Sequence, residues 1–347
     1  MAAHYDVTLT AGGTRASAAV AFLDPLVGRD ALTVRTGARV TRVVMEGSRA
    51  TGVDVLTADG GEARYQADGE VILCAGTFES PKILMLSGLG PADHLGSLDI
   101  PIVHELPGVG ANLQDHLMVV TYGLARPETD PGMSGFLGEA GLFTHVVADR
   151  AGAPDLQLHF LAGMPGFPVD PTTNPNFLIC PTLLQPSSRG RVTLASADPG
   201  VPPRVDPAYL AEAADVEVLV RGIELARELH TAAPLADMAM GGLFALVPDP
   251  SDPFGKPPFR FDVPVSGRDG LETLVRATAT TVWHPVGTCS MGTHSAAVVD
   301  AQLRVHGVEG LRVADASVMP RITSGNTNAP SIMIGEKAAD LITDPAG

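Results

Sequence analysis

Residues 70–90, EVILCAGTFESPKILMLSGLG, decide the fold. The opening, EVILCAGT, is a continuous apolar run of the kind a strand shows when both its faces are buried. It ends in the small pair Ala75 and Gly76. A helix is expected next. Ser80 suits an N-cap, Pro81 suits the first helical position, and Gly88 suits the residue just past the end. Strand, small-residue turn and helix are the parts of a doubly wound α/β layer.

Upstream, residues 33–44 (TVRTGARVTRVV) alternate and are rich in Val and Thr, which predicts a strand. Residues 52–57 and 62–66 flank Asp59, Gly60 and Gly61, which predicts a hairpin. Downstream, from about residue 113, Pro and Gly become frequent. Short strands are expected at 155–161 (DLQLHFL) and 190–195 (GRVTLA). Val216, Leu219, Val220, Ile223, Leu225 and Ala226 recur at helical spacing within 211–230. The closing segment returns to the first style, with a short apolar strand at 311–314 (LRVA). A helix is expected over 328–342, with Asn328 as cap and Pro330 in its first turn. The expected architecture is α/β plus α+β. Residues 1–112 and 276–347 would form one layer, and residues 113–275 a separate lobe with a mixed or antiparallel sheet and helices.

The chain has 347 residues, 45% hydrophobic and 18% charged, which fits a globular protein with sizeable cores. Its formal net charge of −16 would repel nucleic acid and anionic lipid alike. Cys74, Cys180 and Cys289 are widely spaced and form no C-x-x-C, so neither a disulfide framework nor a zinc site is expected. No apolar run reaches the ~18–20 residues of a membrane helix. The first residues do not read as a signal peptide, so a cytoplasmic location is the expectation.

Three constellations could carry chemistry. In WHPVGTCSMG (283–292), His284 lies between an aromatic residue and a proline. Histidine titrates nearest neutrality and can take a hydroxyl proton, but a lone histidine can equally serve only as a hydrogen-bonding core residue. In SGNTNAP (324–330), Asn326 and Thr327 precede an apolar helix whose free N–H groups and partial positive charge favour an anion. They could equally be no more than caps. Asp315, in LRVADASVMP, sits at a strand's carboxyl end, where open α/β sheets bind ligands, or simply caps a turn.

CAGTFESPKILMLSGLGP (74–91) resembles a signature of the glucose–methanol–choline (GMC) oxidoreductases. LPGVGANLQDH (106–116), SSRGRVTLASADP (187–199), WHPVGTCSMG, VADASVMP and SGNTNAPSIMIGEKAADLI resemble later segments of that family, in the same order, in the style of its choline dehydrogenase-like branch. The resemblance covers about residues 14–343. It implies an FAD-dependent oxidation of an alcohol CH–OH group, with His284 taking the hydroxyl proton while the α-hydride passes to flavin N5. Asn326 would be the second active-site position. Val40, Ala75 and Gly76 would approach the adenine and ADP part, and Asp315 and Ala316 the ribityl–pyrophosphate. Trp283 and Thr327 would lie near the isoalloxazine.

The family's opening G-x-G-x-x-G unit, which cradles the pyrophosphate, has no counterpart here. Gly108 and Gly110 are followed by Ala111, Asn112 and Leu113. The expectation is therefore weak flavin binding by this chain alone, one uncovered face on EVILCAGT and on LRVADA, and a partner segment or chain that supplies the missing βαβ unit. Two other readings remain open from sequence: a non-catalytic binding or subunit protein, and a family-related lyase.

Overall fold

Residues 70–90 do fold as strand, turn and helix, but the helix begins a full turn early. The computed structural model describes residues 2–5, 8–126, 138, 140–147, 152–161, 176–245 and 267–343. A short strand β1 (Ala2–His4) comes first, then β2 (Ala38–Glu46), β3 (Arg49–Thr57) and β4 (Glu62–Gln66). Strand β5 (Val71–Leu73) leads into helix α1 (Gly76–Leu86). The pair β6 (Leu89–Gly90) and β7 (His104–Glu105) brackets the turn α2 (Ala92–Gly96). The middle contributes β8 (Leu117–Met118), β9 (Thr121–Ala125), β10 (Ala140–Thr144), β11 (Leu156–Leu161) and β12 (Asn176–Leu183). There follow β13 (Arg191–Thr193), β14 (Arg204–Asp206), helix α3 (Ala213–Thr231), the turn α4 (Leu235–Met238) and β15 (Ala239–Ala245). Helix α5 (Arg268–Thr278), β16 (Thr280–Thr281), β17 (Leu311–Val313) and helix α6 (Asn328–Thr343) complete the order.

Two cores organise these elements. In the first, β17 pairs parallel with β5, so the last part of the chain returns to the first. Strands β2, β3 and β4 form an antiparallel sheet beside them, with the expected hairpin at Asp59 to Gly61. Strand β2 starts at Ala38, later than the alternation at 33–44 suggested. The uncovered face expected on the parallel pair appears only in part. Ile72 of β5 is 39% exposed, but β17 is buried throughout. Its Arg312 lies inside because the Glu70 carboxylate accepts from one edge of the guanidinium, at 2.6 and 3.1 Å, and the Gln302 carbonyl accepts from Nη1 at 2.5 Å.

The second core lies between an eight-stranded sheet and helices α3 and α5. Every pairing in this sheet is antiparallel. Its members include β1 and β16, which lie outside residues 113–275. Val216, Leu219, Val220, Ile223 and Ala226 of α3 are buried, as the helical spacing predicted, while Leu225 is half-buried. Burying each such aliphatic side chain is worth about 1.5–3 kcal/mol. Asp215 in the first turn of α3 accepts the Ser187 and Ser188 N–H groups at 2.7 and 2.9 Å, which ties SSRG to the helix.

The early start of α1 has a tertiary cause. The helix begins at Gly76, with Ala75 as cap and Pro81 inside it. Ser80 does not cap. Its hydroxyl accepts the Ala75 N–H at 3.1 Å and donates to Asp315 at 2.6 Å. Pro81 has no N–H, so the Thr77 carbonyl loses its helical partner. Thr288 replaces that partner by donating its hydroxyl to the Thr77 carbonyl at 2.6 Å. Thr77 in turn donates to the Pro285 carbonyl at 2.7 Å. The segment after His284 is thus fastened to the helix after β5. Substituting Thr288→Val leaves the carbonyl unpaired and should lower the unfolding free energy by about 1–3 kcal/mol in a urea titration. An unchanged midpoint would mean that Pro81 is accommodated in another way.

Candidate active site

Asp315 joins the carboxyl ends of the two parallel strands. Its Oδ2 accepts the Gly76 N–H at 2.9 Å and the Ser80 hydroxyl, and its Oδ1 accepts the Ser317 N–H at 2.8 Å. It is thus both a clamp between strand ends and the cap of the short turn Ala316–Val318. Gly76 adopts φ +83, with open space beside its Cα. Val40 and Ala75 line one cleft of about 660 Å³ with Ile72, Glu79 and Lys82. The segment after His284 runs beside the Asp315 turn through backbone bonds, Cys289 N–H to Ser317 at 2.8 Å and Met291 N–H to Val318 at 2.9 Å.

Three consecutive residues, Gln114, Asp115 and His116, place the second half of the site. Gln114 exchanges backbone bonds with Val286, and its side chain donates to the Pro320 carbonyl and accepts the Ile322 N–H. Asp115 accepts the His284 N–H at 2.9 Å through one oxygen. Its other oxygen accepts the Tyr209 hydroxyl at 2.5 Å and the Thr281 hydroxyl at 2.6 Å. The Thr281 oxygen then accepts the Trp283 N–H at 2.7 Å. Trp283 needs this support because its φ of +59 is a left-handed conformation that a bulky residue adopts only under constraint. Pro285 restricts His284 to extended backbone. The His284 ring is thereby delivered to His116.

The two imidazoles meet edge to face, Nδ1 to Nδ1 at 3.0 Å. Each ring supplies one partner of that bond, so one nitrogen carries hydrogen and the other a lone pair. His116 Nε2 lies 3.1 Å from the Leu184 carbonyl, which can only accept. Burial, then the neighbouring His284, push the His116 pKa down to about 3, so His116 is neutral with its hydrogen on Nε2. Its Nδ1 must therefore accept, and His284 Nδ1–H must donate. Burial also lowers the His284 pKa, against the pull of the Asp115 carboxylate. A neutral His284 then presents an unprotonated Nε2, the form a general base requires.

The structure brings Ala75, Gly76 and Asp315 into direct contact or sequence adjacency and places Ala316 in the adjoining turn. Val40 shares the cleft with Ala75. Trp283 is 77% exposed beside His284. Thr327 is buried, and its carbonyl accepts the Ser331 N–H and hydroxyl, so it precedes α6 in the cap position. Asn328, expected as the cap, is the first helical residue. Asn326 is exposed just ahead of α6, and among the described residues no hydrogen bond joins it to His284. The sequence reading quoted Gln114, Asp115 and His116 inside a motif but gave them no role. It also gave no role to Gln157 and His159, which alternate with Leu156 and Leu158 along β11 and hydrogen-bond Tyr5.

Residues 3–118 and 186–335 match the N- and C-terminal sequence profiles described as GMC oxidoreductase. Among curated proteins, the chain is 40% identical over 350 residues to an uncharacterized GMC-type oxidoreductase of Mycobacterium tuberculosis, spanning 95% of the chain and 63% of the relative. It is 39% identical over 367 residues to an oxygen-dependent choline dehydrogenase of Pseudomonas syringae pv. syringae, spanning 97% and 61%. Among solved structures, pyridoxine 4-oxidase from Mesorbium loti superposes with a TM-score of 0.82 at 29% identity, over 98% of this chain and 64% of that one. Formate oxidase from Aspergillus oryzae, studied for FAD modification, gives a TM-score of 0.80 at 26% identity, over 92% and 62%. The chain belongs to the GMC oxidoreductase family. It spans less than two-thirds of the length of these relatives.

The site's buried histidines make stability depend on acidity. His116, at about 3, and His159, pushed mainly by burial to about 4, stay neutral in the fold while the unfolded chain takes protons near 6.5. The unfolded state then binds more protons, so stability falls as pH drops from about 6.5 toward 4. The slope contributed by each histidine is at most about 1.4 kcal/mol per pH unit. Urea midpoints measured across this range should fall accordingly; a flat profile would place charged histidines in the fold.

Proposed function

We propose that this chain is the catalytic part of an FAD-dependent oxidoreductase acting on the CH–OH group of an alcohol, with His284 as the base. The observation that carries this reading is the chain of contacts from the Leu184 carbonyl through His116 to His284 Nδ1, from which a half-buried imidazole with its lone pair on Nε2 follows. Relatives named choline dehydrogenase and alcohol dehydrogenase [acceptor] support an alcohol as the substrate class.

The residues present fit FAD. Strand carboxyl ends are where open α/β sheets bind nucleotides, and here that end carries the cleft of Val40 and Ala75 and the open side of Gly76. Asp315 and Ala316 would hold the ribityl–pyrophosphate side. Trp283, Asn326 and Thr327 would meet the ring. When bound, FAD supplies the acceptor for the substrate's α-hydride. A partner segment or chain carrying the G-x-G-x-x-G unit would complete the cradle, and the exposed Ile72 and Met333 offer apolar surface for it.

His284 Nε2 takes the hydroxyl proton. The imidazolium so formed keeps its Nδ1–H bond to His116 and is favoured by the Asp115 carboxylate. Asn326, at the positive start of α6, holds the substrate oxygen through its amide. With the chain co-produced beside the N-terminal third of a relative, a flavin spectrum and alcohol-dependent dye reduction should appear; absence of both would end the reading. His284→Gln should lower kcat/KM roughly 10²–10⁴-fold, and near-normal turnover would exclude His284 as base. Because burial lowers the His284 pKa below 6.5, the base stays active at pH 6.5 and the acidic limb of kcat/KM should lie below it. A limb above 6.5 would contradict the assignment.

A further inference from the structure

We infer that Tyr209 is a positioning residue for the base His284: its hydroxyl holds the Asp115 carboxylate at the point from which that carboxylate fixes the His284 backbone and acts on its ring. This rests on the alcohol-oxidising reading and adds to it the control of the same base.

Asp115 is buried, and its two oxygens have different partners. Oδ1 accepts the His284 N–H at 2.9 Å. Oδ2 accepts two hydroxyls, from Tyr209 at 2.5 Å and from Thr281 at 2.6 Å. Thr281 and His284 belong to one short segment and would move together. Tyr209 comes from a separate part of the fold, the turn between β14 and α3. Among the described residues it is therefore the outside anchor of the carboxylate. Burial, then the hydrogen bond to Asp115, push the Tyr209 pKa up, so the phenol keeps its hydrogen and remains a donor.

The chain around Tyr209 is shaped to place it. Ala208 and Leu210 adopt φ +49 and +56. These are left-handed conformations that non-glycine residues hold only where surrounding contacts impose them. Those contacts are present. Asp206 Oδ1 accepts the Ala208 N–H at 3.1 Å. Leu210 is buried in the core with α3 and α5, and Arg276 of α5 donates to its carbonyl at 3.1 Å. Gly190 brings the turn close to Asp115. Its backbone exchanges two bonds with Leu113, at 3.0 and 2.8 Å. A Cβ on Gly190 would come within 2.3 Å of the Asp206 carbonyl oxygen. Glycine thus lets residues 206–207 close onto a position that is paired with Leu113, two residues before Asp115.

The titratable groups that act on the His284 ring are His116 at its Nδ1, His159 of β11 through its charge, and Asp115. Both neighbouring histidines are neutral in the fold, so Asp115 is the charge that favours the imidazolium. A hydroxyl that donates to Asp115 turns the positive end of its O–H dipole to the carboxylate and weakens the field at His284. Loss of the Tyr209 hydroxyl therefore strengthens the pull of Asp115. His284 then takes its proton at higher pH, where a base should still be bare.

Tyr209→Phe removes the hydroxyl and keeps the ring. In nitrogen-15 histidine spectra of the flavin-free chain, the His284 titration should move up by about half a pH unit. Thr281→Val, which removes the other hydroxyl on the same oxygen, should move it in the same direction. In the reconstituted enzyme, Tyr209→Phe should lower kcat roughly tenfold with KM near its original value. The acidic limb of kcat/KM should rise with the titration. A purely structural role would lower the urea midpoint and leave the His284 titration in place. That result, or a downward shift, would overturn the inference. If the parent protein oxidises no alcohol, the functional reading fails, and the titration in the chain alone decides this one.

Discussion

The site depends on one bond, His284 Nδ1 to His116 Nδ1, and on the carbonyl that gives it direction. A hydrogen bond between two imidazoles is ambiguous by itself. Leu184 removes the ambiguity because a carbonyl can only accept. Burial completes the argument by keeping His116 uncharged, so that with its hydrogen on Nε2 its Nδ1 is bare. The consequence travels across the His284 ring to Nε2. Asp115 adds no hydrogen bond to that ring. It fixes the backbone beneath it and supplies a nearby negative charge.

The fold exists to bring that bond together from distant segments. Gln114 to His116 close the first part of the chain, Leu184 follows directly on β12, and His284 comes shortly after β16. Strands β8, β12 and β16 are neighbours in one sheet, so three remote stretches become adjacent. The other layer is closed by Asp315, which bonds Gly76 and Ser80 across 239 and 235 positions of sequence. The Thr288 to Thr77 bond then fastens the two halves of the site to each other. In each case a polar side chain that is wholly or partly buried finds backbone or side-chain partners, where a buried unpaired one would cost about 1–3 kcal/mol.

Much of this was legible in sequence wherever periodicity was local. The spacing of Val216, Leu219, Val220 and Ile223 gave α3, and Asp59 to Gly61 gave the hairpin. The family motifs gave His284. What was not legible was set by partners far away. Ser80 and Pro81 are good start signals, yet α1 begins at Gly76 because Asp315 claims the Ser80 hydroxyl and Thr288 relieves Pro81. Strands β1 and β16 are too short to carry a pattern and exist by pairing with β10 and β8. His116 stood in a quoted motif without a role, since only the structure places its Nδ1 against His284.

The central claim concerns where one hydrogen sits, and it can be observed directly. Selective nitrogen-15 labelling of histidine, with assignment of His284 by substitution, distinguishes a protonated ring nitrogen from a bare one. At pH above the His284 titration, the account predicts a protonated Nδ1 and a bare Nε2 on His284, with the reverse tautomer on His116. A His284 that carries its proton on Nε2 would contradict it.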